Sequence, residues 1–255
     1  MGARFAYLAV GLAVLAWVAG CALSPYSEPR APWRDDAEAA CLARGEVQPS
    51  AFVQPMPPVG GRGSCGLEHP FSVSGALGGR VAIEPAATLD CSMTAALNRW
   101  LTGPVQQAAR AHFRQPVVGI RQIAAYGCRT RDNIPGAKLS EHAFGNALDV
   151  AAFRLADGRE ISVVQGWWSG SPPVRAFLME AFAGACAEFD TVLGPGSDRY
   201  HANHFHLDLL ITNARDGHHY CRPMPGRPYD GMPTASLPER APLGTNAPLL
   251  SFTGR

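Results

Sequence analysis

The chain has 255 residues, of which 47% are hydrophobic and 17% are charged, so it can bury one sizeable core. Its formal net charge is +1, and no block rich in lysine or arginine occurs, which argues against a nucleic-acid-binding protein. We therefore expect one domain flanked by tails, a monomer without a nucleic-acid partner.

The N-terminal segment has the pattern of a secretory signal. Arg4 precedes an apolar stretch over 5–18, which is too short for a transmembrane span of about 20 residues. The small residues before Cys21 resemble a bacterial lipobox, in which the cysteine becomes lipidated; the alternative is ordinary signal cleavage with an incidental cysteine. We predict a signal peptide over 1–20, a lipidated N-terminus and tether over 21–34, and anchoring to a membrane on the periplasmic side of the cell envelope.

The remaining cysteines indicate disulfide bonds. Seven cysteines are present, and setting Cys21 aside leaves six, an even set typical of an oxidising compartment. Six cysteines allow several connectivities, and we favour pairing between neighbours in the chain. These pairs are Cys41 with Cys65, Cys91 with Cys128, and Cys186 with Cys221. A cysteine zinc cluster is the alternative, and the absence of a C-x-x-C motif argues against it.

The first half of the predicted domain, which spans 35–221, contains three short helices. Asp36 can cap the first helix and Gly45 can end it, Ser92 can cap the second, and Pro104 can open the third. The proline- and glycine-rich stretch over 47–63 predicts an irregular covering segment. Short β-rich runs occur at 80–83, 117–120 and 122–126.

The second half predicts two antiparallel strands, a long helix and further strands. Residues 147–153 read as a strand, and the turn at Asp157 and Gly158 joins it to a second strand. The stretch 173–189 has one apolar face and predicts the best helix of the chain. A short strand follows at 191–194. Beyond Cys221, residues 222–255 are rich in proline and polar residues, which predicts a disordered tail.

Two stretches that are remote in the chain hold candidate metal ligands. A glycine three residues after His142 permits a tight turn, and the strand that follows carries Asp149. In the second stretch, alternation places His204, His206 and Asp208 on one face of a strand. Asp208 can accept a hydrogen bond from a ligand imidazole, or it can be solvent-exposed.

The residue types of this group favour zinc. Two imidazoles and one carboxylate suit Zn²⁺, and three protein ligands leave a fourth position for water. We predict three ligands: His142, Asp149 and His206. His204 lies two residues from a ligand on the same face, where it can act as a general base. The pair His218 and His219 is the alternative source of ligands.

These motifs resemble those of a known group of enzymes. The run over 140–149 fits the pattern S-x-H-x-x-G-x-A-x-D of bacterial zinc peptidases that cut cell-wall peptides, including D-Ala-D-Ala carboxypeptidases and penicillin-insensitive murein endopeptidases. The run His201-x-x-His204-x-His206 is similar to the endopeptidase form of the second motif. The order of segments from about Asp36 to Cys221 most closely resembles the bacterial extensin-like C-terminal domain proteins.

The resemblance implies a fold and a set of site residues. The fold is expected to be α+β, of the hedgehog and D-Ala-D-Ala peptidase type, with a small antiparallel sheet that carries the zinc site and helices on one side. Zinc on the three ligands, His204 as base and His201 in a supporting catalytic role are implied. Where the dipeptidase branch has a catalytic Glu, this chain has Asn203, so a glutamate base is not expected.

Two further residues are implied to contact substrate. Arg129 lies where the cell-wall peptidases carry a substrate-holding arginine, although a structural ion pair is an equal alternative. Ser140 can touch substrate or cap the turn. Glu141, next to a ligand, is expected to be solvated.

The resemblance also implies a function. We expect a zinc metallopeptidase that hydrolyses an amide bond in peptidoglycan peptides, as a carboxypeptidase or an endopeptidase. The alternative is a non-catalytic, lipid-anchored protein that binds or scaffolds the cell wall and retains the zinc site.

Overall fold

The computed structural model describes residues 26, 28–210 and 220–222. The predicted signal peptide, Cys21, His218 and His219 lie outside the described residues, as does the predicted C-terminal tail apart from Arg222, and they stay predictions. Within the described part of the chain, no helix is long and apolar enough to cross a membrane.

The described elements are five α-helices and eleven strands. The helices are α1 (Pro32–Arg44), α2 (Cys91–Trp100), α3 (Gln106–Phe113), α4 (Val163–Ser169) and α5 (Pro172–Glu188). The strands are β1 (Val53–Pro55), β2 (Val59–Gly60), β3 (Gly66–Leu67), β4 (Phe71–Ala76), β5 (Val81–Leu89), β6 (Val117–Ala124), β7 (Ala147–Leu155), β8 (Glu160–Ser162), β9 (Thr191–Leu193), β10 (Phe205–Asp208) and β11 (Tyr220–Arg222).

The fold is α+β, but the predicted small antiparallel sheet is wrong. The described strands form a nine-stranded sheet in the order β1-β4-β5-β6-β7-β10-β9-β11, with β8 paired to β7. The pairs β5–β6 and β9–β11 are parallel, so the sheet is mixed. Parallel neighbours need a crossover connection, and α2 and α3 supply it between β5 and β6. The stretch over 47–63, predicted to be irregular, contributes β1 at the edge of this sheet and β2 to a separate pair with β3.

The core and the polar face of β10 follow from strand alternation. Phe205 and Leu207 are fully buried in the hydrophobic core, together with Trp100 at the end of α2. Successive side chains of a strand point to opposite faces, so His206 and Asp208 project away from that core. The central strands therefore carry packing residues on one face and chemically active residues on the other.

The start of α2 and the segment after it differ from the predictions. Asp90, not Ser92, caps α2, because its Oδ1 accepts a hydrogen bond of 2.7 Å from the backbone N–H of Met93. Pro104, predicted to open α3, instead lies inside a π-helical segment, Leu101–Val105, that precedes it. A proline lacks the N–H that an α-helix would use, and a π-helical turn is one way to continue the chain around it.

Three disulfides are present among the described residues, as the even set of cysteines predicted. Pairing of chain neighbours is right for one bond and wrong for two, since chain separation adds little to the entropy of loop closure and the fold decides which thiols meet. The bonds are Cys41–Cys91, Cys65–Cys128 and Cys186–Cys221.

The cap residue Asp90 predicts an unusual pH dependence of stability. Burial of its carboxylate raises the pKa of Asp90 from 3.8 to about 7; the N–H of Met93 opposes the shift, and Glu38 and Glu141 add to it. A raised pKa means that the unfolded chain releases this proton at lower pH than the folded chain. Asp90 therefore costs stability increasingly between about pH 4 and pH 7, and the cost persists above that range.

Replacing Asp90 with asparagine is expected to stabilise the fold at pH 8 relative to the wild type by about 2 kcal/mol, because the neutral side chain does not have to be ionised at this site. Asparagine caps helices as well as aspartate does, so the hydrogen bond to α2 is retained. Urea unfolding at about pH 4 and pH 8 measures the effect, and Asp36→Asn on the exposed side of α1 is the control. A stability difference that does not grow with pH would contradict the prediction.

Candidate metal centre and its cavity

Two neighbouring strands and one turn bring the predicted ligands together. Asp149 of β7 lies directly opposite His206 of β10 in the antiparallel register. His142 lies in the 3₁₀ turn Glu141–Phe144, which leads into β7. Gly145 ends this turn with φ 65°, and a Cβ there would lie 2.1 Å from the side chain of Leu67. Glycine is therefore required for the turn to deliver the imidazole.

The nearest side-chain atoms of these three residues form a compact triangle. His142 Nε2 lies 3.2 Å from Asp149 Oδ1 and 3.3 Å from His206 Nδ1, and the last two atoms are 2.9 Å apart. Bonds of about 2.0–2.1 Å to a tetrahedral ion separate its ligand atoms by about 3.3 Å. The three buried residues therefore fit a group that could hold a metal ion.

Hydrogen bonds outside the triangle orient both imidazoles. His142 Nδ1 donates to the carbonyl of Ala125 at 2.6 Å, which leaves Nε2 to face the other two residues. His206 Nε2 lies 2.9 Å from Oδ2 of Asp208, which leaves Nδ1 facing inward. Asp208 is buried and accepts from a candidate ligand, as partners of metal-bound histidines commonly do.

The charges of the group favour a cation at its centre. Burial raises the pKa of Asp149, but hydrogen bonds from His142, His204 and His206 outweigh it and hold that pKa well below its ordinary value. Burial lowers the pKa of His206, but its bonds to Asp149 and Asp208 outweigh it and raise the pKa to about 10. The same groups therefore attract either a proton or a metal ion, and the two compete.

His204 lies beside the triangle with one nitrogen directed toward it. Its Nδ1 donates to Oδ1 of Asn203 at 2.8 Å, and its Nε2 lies 3.4 Å from Oδ1 of Asp149. The ring is buried at the edge of the site. Nε2 therefore faces Asp149 and the adjoining space, which is the position that the prediction of a base requires.

His201 forms a second acid–imidazole pair next to His204. Its Nδ1 lies 2.8 Å from both oxygens of Asp198, and its ring centroid is 5.3 Å from that of His204. Burial lowers the pKa of His201, although Asp198 acts in the opposite direction. A neutral imidazole with an oriented Nδ1–H leaves its Nε2 available to exchange protons.

A cavity of about 650 Å³ adjoins the centre. It is lined by Asp149, His206, both further histidines and the two predicted substrate residues, Arg129 and Ser140. Arg129 Nη2 lies 3.9 Å from Oδ2 of Asp149. The hydroxyl of Ser140 does not cap the turn that follows it. The predicted metal, catalytic and substrate-binding residues thus lie together around this cavity. His142 is the one that does not line it, because it is fully buried.

Several further residues line the cavity that were not predicted as site residues. Among them are Arg131, Asp198, Tyr200 and Tyr220. Asp198 lies three residues before a predicted catalytic histidine, and that spacing was the one feature that could have indicated it. The others come from a loop and a distant strand whose positions depend on the whole fold.

The expectation that Glu141 is solvated is wrong. Its carboxylate is buried and forms a bidentate ion pair with Arg34, with N–O distances of 2.5 and 2.7 Å. The 3₁₀ turn directs His142 toward the strands and Glu141 toward α1, because adjacent residues of a tight turn point in different directions.

One comparison with known proteins identifies a relationship. The model of a family described as Extensin-like protein C-terminus matches residues 39–222, which is more than half of the chain. The matched segment contains every residue of the candidate centre. No curated protein and no solved structure matches the chain.

Proposed function

The chain belongs to the extensin-like C-terminal family, and from this membership and the centre we propose a zinc-dependent hydrolase that cleaves an amide bond in peptidoglycan peptides. The observation that carries the proposal is the triangle of His142, Asp149 and His206, with sides of 2.9–3.3 Å, beside a cavity that contains two further histidines. The same motifs support a relationship with the zinc peptidases of cell-wall metabolism. A lipid anchor at Cys21 would hold the enzyme at the periplasmic face of a membrane, close to that polymer.

The proposed ligand atoms are Nε2 of His142, Oδ1 of Asp149 and Nδ1 of His206, and this donor set suits zinc. Bound zinc would polarise the substrate carbonyl and activate a water molecule for attack. The carbonyl of Ala125 and the carboxylate of Asp208 keep both imidazoles in the required tautomer.

Proton transfer is assigned to the two remaining histidines. His204 would accept the proton of the attacking water at Nε2, because its Nδ1–H is committed to Asn203. His204 would then pass this proton to Nε2 of the adjacent His201, which Asp198 orients, and His201 would give it to the amine that leaves. Arg129 would hold an oxygen of the substrate, and the Ser140 hydroxyl, which makes no hydrogen bond with a described residue, would bind next to it.

Purified peptidoglycan sacculi test the proposal. The zinc-loaded full chain is expected to release new muropeptides, and removal of the metal with a chelator should lower the rate by at least about a hundredfold. Restored zinc should restore the activity. Muropeptides are identified by liquid chromatography and mass spectrometry.

Identical muropeptide profiles with and without chelator would contradict hydrolysis of this polymer. Retention of the chain on sacculi without release of products would identify a non-catalytic wall-binding protein.

A further inference from the structure

We propose that Arg34 is a positioning residue of the metal centre: by holding Glu141, it fixes the turn that carries His142. The inference rests on the proposed metal site but not on the identity of the substrate. It assigns a role to the N-terminal helix α1, which contributes no residue to the cavity wall.

The ion pair between Arg34 and Glu141 differs from the surface pairs of the chain. Nη1 and Nη2 of Arg34 contact the two carboxylate oxygens at 2.5 and 2.7 Å, and the side chains are only 9% and 2% exposed. The bidentate pair of Arg154 with Glu84 has similar distances of 2.7 and 2.8 Å, but its side chains are 39% and 54% exposed. The two pairs share a geometry and differ in burial.

Arg34 contacts the turn at both of its ends. Besides Glu141 at the first position, the guanidinium lies over the ring of Phe144 at the last position, with 3.8 Å between the guanidinium carbon and the ring centroid. A cation above an aromatic face is held most strongly where water is excluded. The two contacts bracket His142, so rotation of the turn would break one of them.

Glu141 also joins the turn to the strand that carries Asp149. Its Oε2 accepts a hydrogen bond of 2.8 Å from Asn146, the residue directly before β7. One carboxylate thus connects α1, the turn and the start of the strand. Candidate ligands lie directly after Glu141 and three residues after Asn146, so displacement of this carboxylate would move both.

A buried ion pair is weak evidence for added stability, because removal of two charges from water offsets much of their attraction. Its better-attested contribution is to select one arrangement of the groups around it. Three disulfides and the nine-stranded sheet already hold the described part of the fold. We therefore assign the pair to geometry at the ligand turn.

The test compares the zinc affinity of the full chain with that of Arg34→Met and Glu141→Gln, by competition with a chromophoric chelator. Both variants are expected to bind zinc about 10–100-fold more weakly, the range found when groups that orient a ligand are removed. When Co²⁺ replaces zinc, the visible spectrum of each variant should differ from that of the Co²⁺-loaded wild type, because this spectrum reports the geometry of the ligands. Arg154→Met, which breaks the exposed pair, is the matched control and should leave affinity and spectrum unchanged.

Arg34→Lys keeps the charge but loses the bidentate geometry, so its zinc affinity should lie between those of the wild type and Arg34→Met. If Arg34→Met does not fold, Arg34→Lys tests the positioning role in its place. Circular dichroism at the temperature of the titration establishes that each variant is folded. Folded variants with wild-type zinc affinity and Co²⁺ spectrum would overturn the inference and leave the proposed hydrolase standing. A wild-type chain that binds no zinc would overturn both.

Discussion

Replacing Asp149 with asparagine is expected to lower the zinc affinity of the chain by at least about a hundredfold. Asp149 supplies the single negative charge of the ligand triangle, and its Oδ1 lies within 3.4 Å of nitrogens from three histidines. An asparagine has the same shape but no charge, and its NH₂ group would face imidazole nitrogens or Arg129. The loss of the carboxylate therefore removes both a ligand and the attraction that gathers the imidazoles.

Competition with a chromophoric chelator measures the affinity, and the zinc content of the purified variant gives an independent value. Asp157→Asn, in the exposed hairpin after β7, removes a carboxylate away from the centre and should retain wild-type affinity. If Asp149→Asn bound zinc as tightly as the wild type, the ligand assignment would be wrong. The proposed function would then lose the observation that carries it.

Within each motif, the placement of the candidate ligands could be predicted because the pattern is local. The spacing between His142 and Asp149 encodes a turn and the start of a strand, and alternation fixes the face that carries His206. These features depend on neighbouring residues in the chain. What local pattern could not predict is that β7 and β10 are adjacent in the sheet, which the register of the whole fold determines.

The extent of the sheet was not predictable for the same reason. Strand β1 lies in a proline-rich stretch with weak alternation, and it is ordered because it pairs with β4. The parallel pairing of β5 with β6 depends on how α2 and α3 pack, since the crossover fixes the direction of return. Tertiary context thus overrides weak local preference at the edges of the fold.

Contacts between residues that are remote in the chain likewise could not be predicted from the sequence. Arg34 and Glu141 are separated by 107 residues, and nothing near Glu141 distinguishes it from an exposed acid. The cysteine pairs show the same limit, because Cys41 lies closer to Cys65 in the chain but bonds to Cys91 across the contact between α1 and the start of α2. Local motifs predicted the candidate ligands, whereas these contacts that surround them depend on the fold.

His204→Ala is expected to lower the rate of peptide release from sacculi by about 10²–10⁴-fold, the usual contribution of a general base, while zinc affinity stays close to that of the wild type. The reason is the position of the ring, whose Nε2 faces Asp149 Oδ1 at 3.4 Å but which is not one of the three residues of the ligand group. In this variant the rate is therefore expected to fall while the zinc affinity does not. In the triangle variants they should fall together.

Two further measurements distinguish the loss of a base at His204 from a general effect of removing a histidine. Added imidazole should restore part of the activity of His204→Ala, because a small base can enter the space that the ring has left, whereas it should not restore Asp149→Asn. His112→Ala, which removes an imidazole paired with Glu180 away from the cavity, should keep full activity. Full activity of His204→Ala would contradict the assignment and transfer the role of base to His201, whose Asp198 partner gives it the oriented Nδ1–H that such a role requires.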